Sequence, residues 1–107
     1  MLKNRREEVV ALFAALERQV KSIGPVEFIA RERYVILRSR HIFADVIVLA
    51  DGLRLVIHLP RMARHPLFKR IVADRQWVSH TAKVRKVTEL EQLQPFLRAA
   101  WEYAQTY

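Results

Sequence analysis

Val9, Leu12, Phe13, Leu16, Val20 and Ile23 recur at the i, i+3, i+4, i+7 spacing of a helix with one buried stripe. The pattern predicts a helix over residues 2–23. Gly24-Pro25 closes it, because glycine accepts a left-handed cap and proline cannot continue the ladder. Short β-rich runs follow at 26–30 and 34–38, separated by Arg31-Glu32-Arg33. A longer run at 42–50 is joined to 53–59 through Asp51-Gly52, a pair that predicts a hairpin with positive φ at both turn residues. In the second of these runs Leu53, Leu55, Ile57 and Leu59 alternate with Arg54, Val56 and His58, so one face is buried and the other mixed. Pro66 excludes a long helix from 61–76, where 67–73 reads equally as a strand or a short helix. Over 77–87, Val78, His80, Ala82 and Val84 share one side of a strand, leaving Ser79, Thr81, Lys83 and Arg85 on a wet, basic one.

The last segment is helical. Thr88 and Glu91 have capping-box spacing, and Leu90, Leu93, Leu97, Ala100, Trp101 and Ala104 form a stripe. Pro95 predicts either a kink or a first turn followed by a helix that starts at the proline. Helix, mostly hairpin-linked strands, helix is the order of an α+β domain. The expectation is an antiparallel sheet of about five or six strands with both helices on one face, as a single domain over 1–107.

Composition narrows the class. With 51% hydrophobic and 28% charged residues the chain is globular rather than disordered. The absence of cysteine removes disulfides, thiolate metal sites and a cysteine nucleophile, and fits a reducing compartment. Lys3, Arg5 and Arg6 before an apolar stretch have the outline of a leader, but Glu7 and Glu8 interrupt it and the stretch is about half a membrane span. The expectation is a cytoplasmic protein without membrane contact.

The run of features resembles a bacterial family known as domain of unknown function 5655. The resemblance lies in Ile23-Gly24-Pro25, in Tyr34-Val35-Ile36 leading to Ile42-Phe43-Ala44, and in Leu53-Arg54-Leu55 up to Leu59-Pro60. It continues through His65-Pro66 with Arg70-Ile71, Trp77-Val78-Ser79-His80 and the helix containing Trp101. It implies a compact α+β domain and no particular reaction.

Charge is the strongest functional signal. The formal net charge is +8, and residues 53–86 carry nine basic side chains against Asp74 alone. Such clustering is the footprint of a phosphate-backbone binder, or of a solvated surface with carboxylate partners from elsewhere in the fold. The candidate polyanion-binding residues are Arg61, Arg64, Lys69, Arg70, Lys83, Arg85 and Lys86. Among the aromatics, Phe43 and Phe68 sit in apolar runs and belong to the core, whereas Trp77 is a candidate stacking platform. His41, His58, His65 and His80 lack the i, i+4 spacing of a metal site. His58 and His80 meet if their strands are neighbours and their faces agree, which makes His58, Trp77 and His80 a candidate ligand pocket. Ser79 and His80 cannot pair, since neighbours on a strand point to opposite faces. No catalytic set, metal site or cofactor motif emerges. The expectation is a non-enzymatic binding module for nucleic acid or another polyanion. Its alternatives are a protein-interaction or self-association domain, such as a homodimer, and a small-ligand-binding domain.

Overall fold

The apolar stripes of the two terminal helices meet over one side of a sheet, in a computed structural model that describes residues 6–107. The elements are α1 (Glu7–Ile23), β1 (Glu27–Ala30), β2 (Val35–Ser39), β3 (His41–Val48), β4 (Leu53–Leu59), β5 (Phe68–Ala73), β6 (Val78–Val84) and α2 (Val87–Ala104). All strand pairs are antiparallel and the spatial order is β1-β2-β3-β4-β6-β5. The fold is α+β, as the order of elements predicts. The part of the first helix expected over Leu2 to Arg5 lies outside the described residues.

The core lies between this sheet and the helices. Val9, Leu12, Phe13, Leu16 and Val20 of α1 are buried there with Leu90, Leu93, Leu97, Ala100 and Ala104 of α2. Opposite them stand Leu53, Leu55, Ile57 and Leu59, Ala44, Val46 and Val48, and Ala82 and Val84. A β-bulge at Phe43 shifts the β2–β3 register and turns both Phe43 and Ala44 inward. The 67–73 region is the strand β5, a sheet edge. Its bulge between Phe68 and Arg70 and its exposed Lys69 and Arg70 protect that edge from pairing with another chain.

Four local expectations are corrected. Gly24 is extended (φ 170°) rather than left-handed, and it is glycine because a Cβ there would overlap the Trp101 ring. The Trp101 indole N–H donates to the Pro25 carbonyl at 3.0 Å, sealing the end of α1 against α2. The β3–β4 hairpin forms, but with a wider loop in which the Leu49 N–H donates to the Gly52 carbonyl at 2.8 Å. Gly52 has no positive φ; it is buried where a Cβ would strike the Val84 carbonyl oxygen. The one positive φ among the described residues is at Arg40 (61°), in the turn between β2 and β3.

The start of α2 is capped two residues earlier than the Thr88–Glu91 pair predicts. The Glu89 carboxylate accepts from the N–H groups of Arg85 (2.8 Å) and Lys86 (3.2 Å). Lys86 has no side-chain acceptor with which to complete a reciprocal box. Pro95 neither ends nor restarts the helix. It and Glu91 are on the exposed side, so the carbonyl that the proline leaves free is not buried in the core.

Candidate functional site

Because both helices cover the same side, the other side of the sheet is open. Strand alternation decides which residues stand on it: those between the buried leucines of β4, and their cross-strand neighbours. They form three rows. Nearest Gly52, Ile47 lies opposite Arg54 and Arg54 opposite Lys83. Across the middle run Ile29, Ile36, Asp45, Val56, Thr81 and Arg70. Toward the far end stand Glu27, Arg38 and Ile42, with His58 opposite Ser79 and Ser79 opposite Val72.

The first row places two cations directly opposite one another, an unfavourable pairing in a sheet. Asp51 relieves it, binding Lys83 at 3.2 Å and Arg85 at 3.4 Å. The hydrogen bond from Lys83 is the main cause that lowers the Asp51 pKa. Arg38 is held by Glu27 at 3.0 Å. Arg54, Arg61, Arg64, Lys69, Arg70 and Lys86 have no carboxylate within ion-pair distance among the described residues. Asp45 sits among Ile36, Ile47 and Val56, and partial burial raises its pKa.

The candidate polyanion set divides. Arg70 and Lys83 are on the open face, and Arg85 and Lys86 follow β6 at its Gly52 end. The loop carrying Arg61 and Arg64 crosses over β6 on the helix side, where the Ala63 N–H donates to His80 Nε2 at 2.9 Å. Lys69 is the extra residue of the β5 bulge, and its ammonium donates to the Pro66 carbonyl at 3.2 Å. Arg54 was not singled out from the sequence. Its signal was the alternation of β4, usable once β6 was known to be the neighbouring strand.

The histidines also divide. β4 and β6 are neighbours, but His58 pairs with Ser79 and Ile57 with His80, so the two imidazoles stand on opposite faces. His80 is fully buried beneath the crossover loop. Its Nε2 accepts from Ala63, so its Nδ1 carries the proton and donates to the Val78 carbonyl at 2.9 Å. Phe68 packs on its ring at 4.9 Å. His58 stacks on Trp77 with ring centroids 4.6 Å apart, and its Nδ1 is 3.1 Å from Ser79 Oγ. Burial lowers the His58 pKa from 6.5 to about 4, with the Asp74 charge opposing and His80 adding to the shift. The ring is therefore neutral at physiological pH. The histidine that Ser79 meets is thus across the strand rather than beside it. No carboxylate is hydrogen-bonded to that imidazole among the described residues, so the serine has no third group to orient a base.

Phe43 is in the core and Phe68 is half-buried against Phe96 at 5.0 Å, as their apolar surroundings predict. Among the described residues, no three or more histidine and carboxylate side chains are grouped to hold a metal ion. No helix among them is long and apolar enough to cross a membrane. A groove of about 460 Å³ between the helices is lined by Ala15, Gln19, Val87, Leu90 and Gln94 with one arginine (Arg18) and one glutamate (Glu91), and offers no charge complementarity to an anion.

Among curated proteins and solved structures, no match to the chain was found. A family model does match, over residues 1–104, and the chain therefore belongs to the family described as Domain of unknown function (DUF5655).

Proposed function

We propose that this domain is a non-enzymatic cytoplasmic module that binds a polyanion, nucleic acid above all, on the open face of its sheet. The observation that carries the reading is the convergence of Arg54, Arg70 and Lys83, from three adjacent strands, on the face the helices leave uncovered. Arg54 and Arg70 lack carboxylate partners among the described residues, so a phosphate need not displace an internal ion pair to reach them. Arg85 and Lys86 extend the same positive end. Each phosphate neutralised releases condensed counterions, which makes affinity fall linearly in log salt.

Fluorescence anisotropy with a labelled oligonucleotide across a salt series tests this. The expected result is a steep negative slope. Arg54→Ala and Arg70→Ala should each reduce that slope by about one, as the loss of one phosphate contact does. Arg61→Ala, on the loop over the helix side, should leave it unchanged. Binding that ignores salt, or slopes unaltered in both open-face variants, would defeat the proposal.

A second reading rests on Ile29, Ile36, Ile47 and Val56, apolar side chains that share the same face and stand around or near Asp45. It is a docking surface for a protein or a second copy of the chain. A concentration-dependent dimer in light scattering, with no oligonucleotide binding at low salt, would favour it.

A further inference from the structure

At the Trp77 end of the sheet, next to Arg38 and Ile42 of the open face, lies a cleft of about 290 Å³ lined by Arg38, Arg40, His41, Ile42, Gln76, Trp77 and Tyr107. Its walls are held in place from behind. Trp77 rests on the neutral His58 ring, which Ser79 fixes in turn. Tyr107 stacks on His41 with centroids 4.2 Å apart and planes 18° from parallel, and His41 Nδ1 donates to the Ala104 carbonyl at 3.0 Å. The Tyr103 hydroxyl donates to the Gln76 carbonyl, tying the loop before β6 to α2. Arg40 donates from Nε to the main-chain oxygen of Tyr107 at 3.1 Å, which leaves its two terminal nitrogens uncommitted. It does so from the left-handed turn conformation that a non-glycine residue rarely adopts.

The chemistry of this lining is selective. Two aromatic rings in the lining can stack on a flat ring, the Gln76 amide can both donate and accept, and Arg40 provides a fork for an anion. The volume is at the lower limit for small-molecule sites, about 300 Å³ upward, and suits one planar group. A second cleft of about 360 Å³ shares Gln76 and Trp77 and adds Asp74 and Arg75, so that the opening does not end at the tryptophan. The row of Arg54 and Lys83 lies four residues along β4 from that of His58, about 14 Å away, close enough for one strand of nucleic acid to touch both.

We propose that this cleft takes one base of a single-stranded nucleic acid, stacked on Trp77 with the adjoining phosphate on Arg40; the inference rests on the polyanion reading and adds base contact to it. Duplexes keep their bases inside the stack, beyond reach of such a cleft, whereas single strands present them. Stacking of this kind tolerates any base, so sequence preference is weak.

Two labelled oligomers of equal length and charge decide the matter, an oligothymidylate and its abasic counterpart. The protein should bind the oligothymidylate roughly fivefold or more tightly than the abasic strand. Trp77→Ala should abolish that preference while leaving abasic binding intact, and Trp77→Phe should retain part of it. Arg40→Ala, an exposed change that keeps the stack, should weaken oligothymidylate binding and serves if the alanine variant at Trp77 does not fold. Equal affinity for both strands, or a preference that survives Trp77→Ala, overturns the base site and leaves the electrostatic reading standing. Failure to bind either strand at low salt overturns both.

Discussion

His80→Ala is expected to destabilise the domain by about 3–4 kcal/mol, more than any change on the open face. Two losses combine. The imidazole is fully buried against Phe68, so its removal leaves a cavity in the layer between sheet and crossover loop. The Ala63 N–H and the Val78 carbonyl also lose their partner, and an unsatisfied backbone group in a buried place costs about 1–3 kcal/mol. His80→Phe separates the two, since it keeps a ring but supplies neither acceptor nor donor. Urea unfolding should place the phenylalanine variant between the wild type and the alanine variant. Amide exchange at Ala63 should accelerate in both. A phenylalanine variant as stable as the wild type, with Ala63 still protected, would show that the hydrogen bonds of His80 do not hold the loop.

That histidine marks the boundary between what the sequence discloses and what it conceals. Its side of β6 could be read directly, because Val78, Ala82 and Val84 share it. The role could not, because its partner Ala63 lies in a segment without periodicity, between Pro60 and Pro66. The same segment hides the strand order. Nothing in residues 60–67 says that the chain passes over β6 before forming β5, and a simple meander would have paired β4 with β5. With β6 beside β4, His58 meets Ser79 and Arg54 meets Lys83, and both halves of the candidate site follow from those two registers. The helical stripes and the alternation of β4 were legible because burial imposes a period on the residues themselves. The two glycines were misread for a related reason. Each was assigned to its own turn, whereas the constraint comes from a distant group, Trp101 at Gly24 and the Val84 carbonyl at Gly52.

Lowering the pH should cost this fold stability well before its carboxylates titrate as a class. His58 has a pKa near 4 when folded and 6.5 when unfolded. Between those values the unfolded chain takes up a proton that the folded one refuses. Stability contributed by the neutral ring is thus complete above pH 6.5, falls as pH drops through the window, and is spent below about 4. The full difference corresponds to about 3 kcal/mol. Burial between Trp77 and the sheet is the principal cause, opposed by the Asp74 carboxylate and reinforced by His80. Asp45 acts with the opposite sign. Its raised pKa means that the folded state binds a proton before the unfolded state does, so acidification through that range returns stability. Asp51, with a lowered pKa, is lost only at the acid end of the curve. The His58→Phe variant keeps an aromatic ring against Trp77 and has nothing to titrate. Subtracting its urea-derived stability curve from that of the wild type cancels both aspartates and isolates the imidazole. The difference should slope between pH 6.5 and 4 and be flat above; parallel curves would mean that His58 is hydrated and titrates normally. The same experiment bears on function, because a His58 that charges at pH 6 would place a cation beneath Trp77 and change the platform on which a base is proposed to stack.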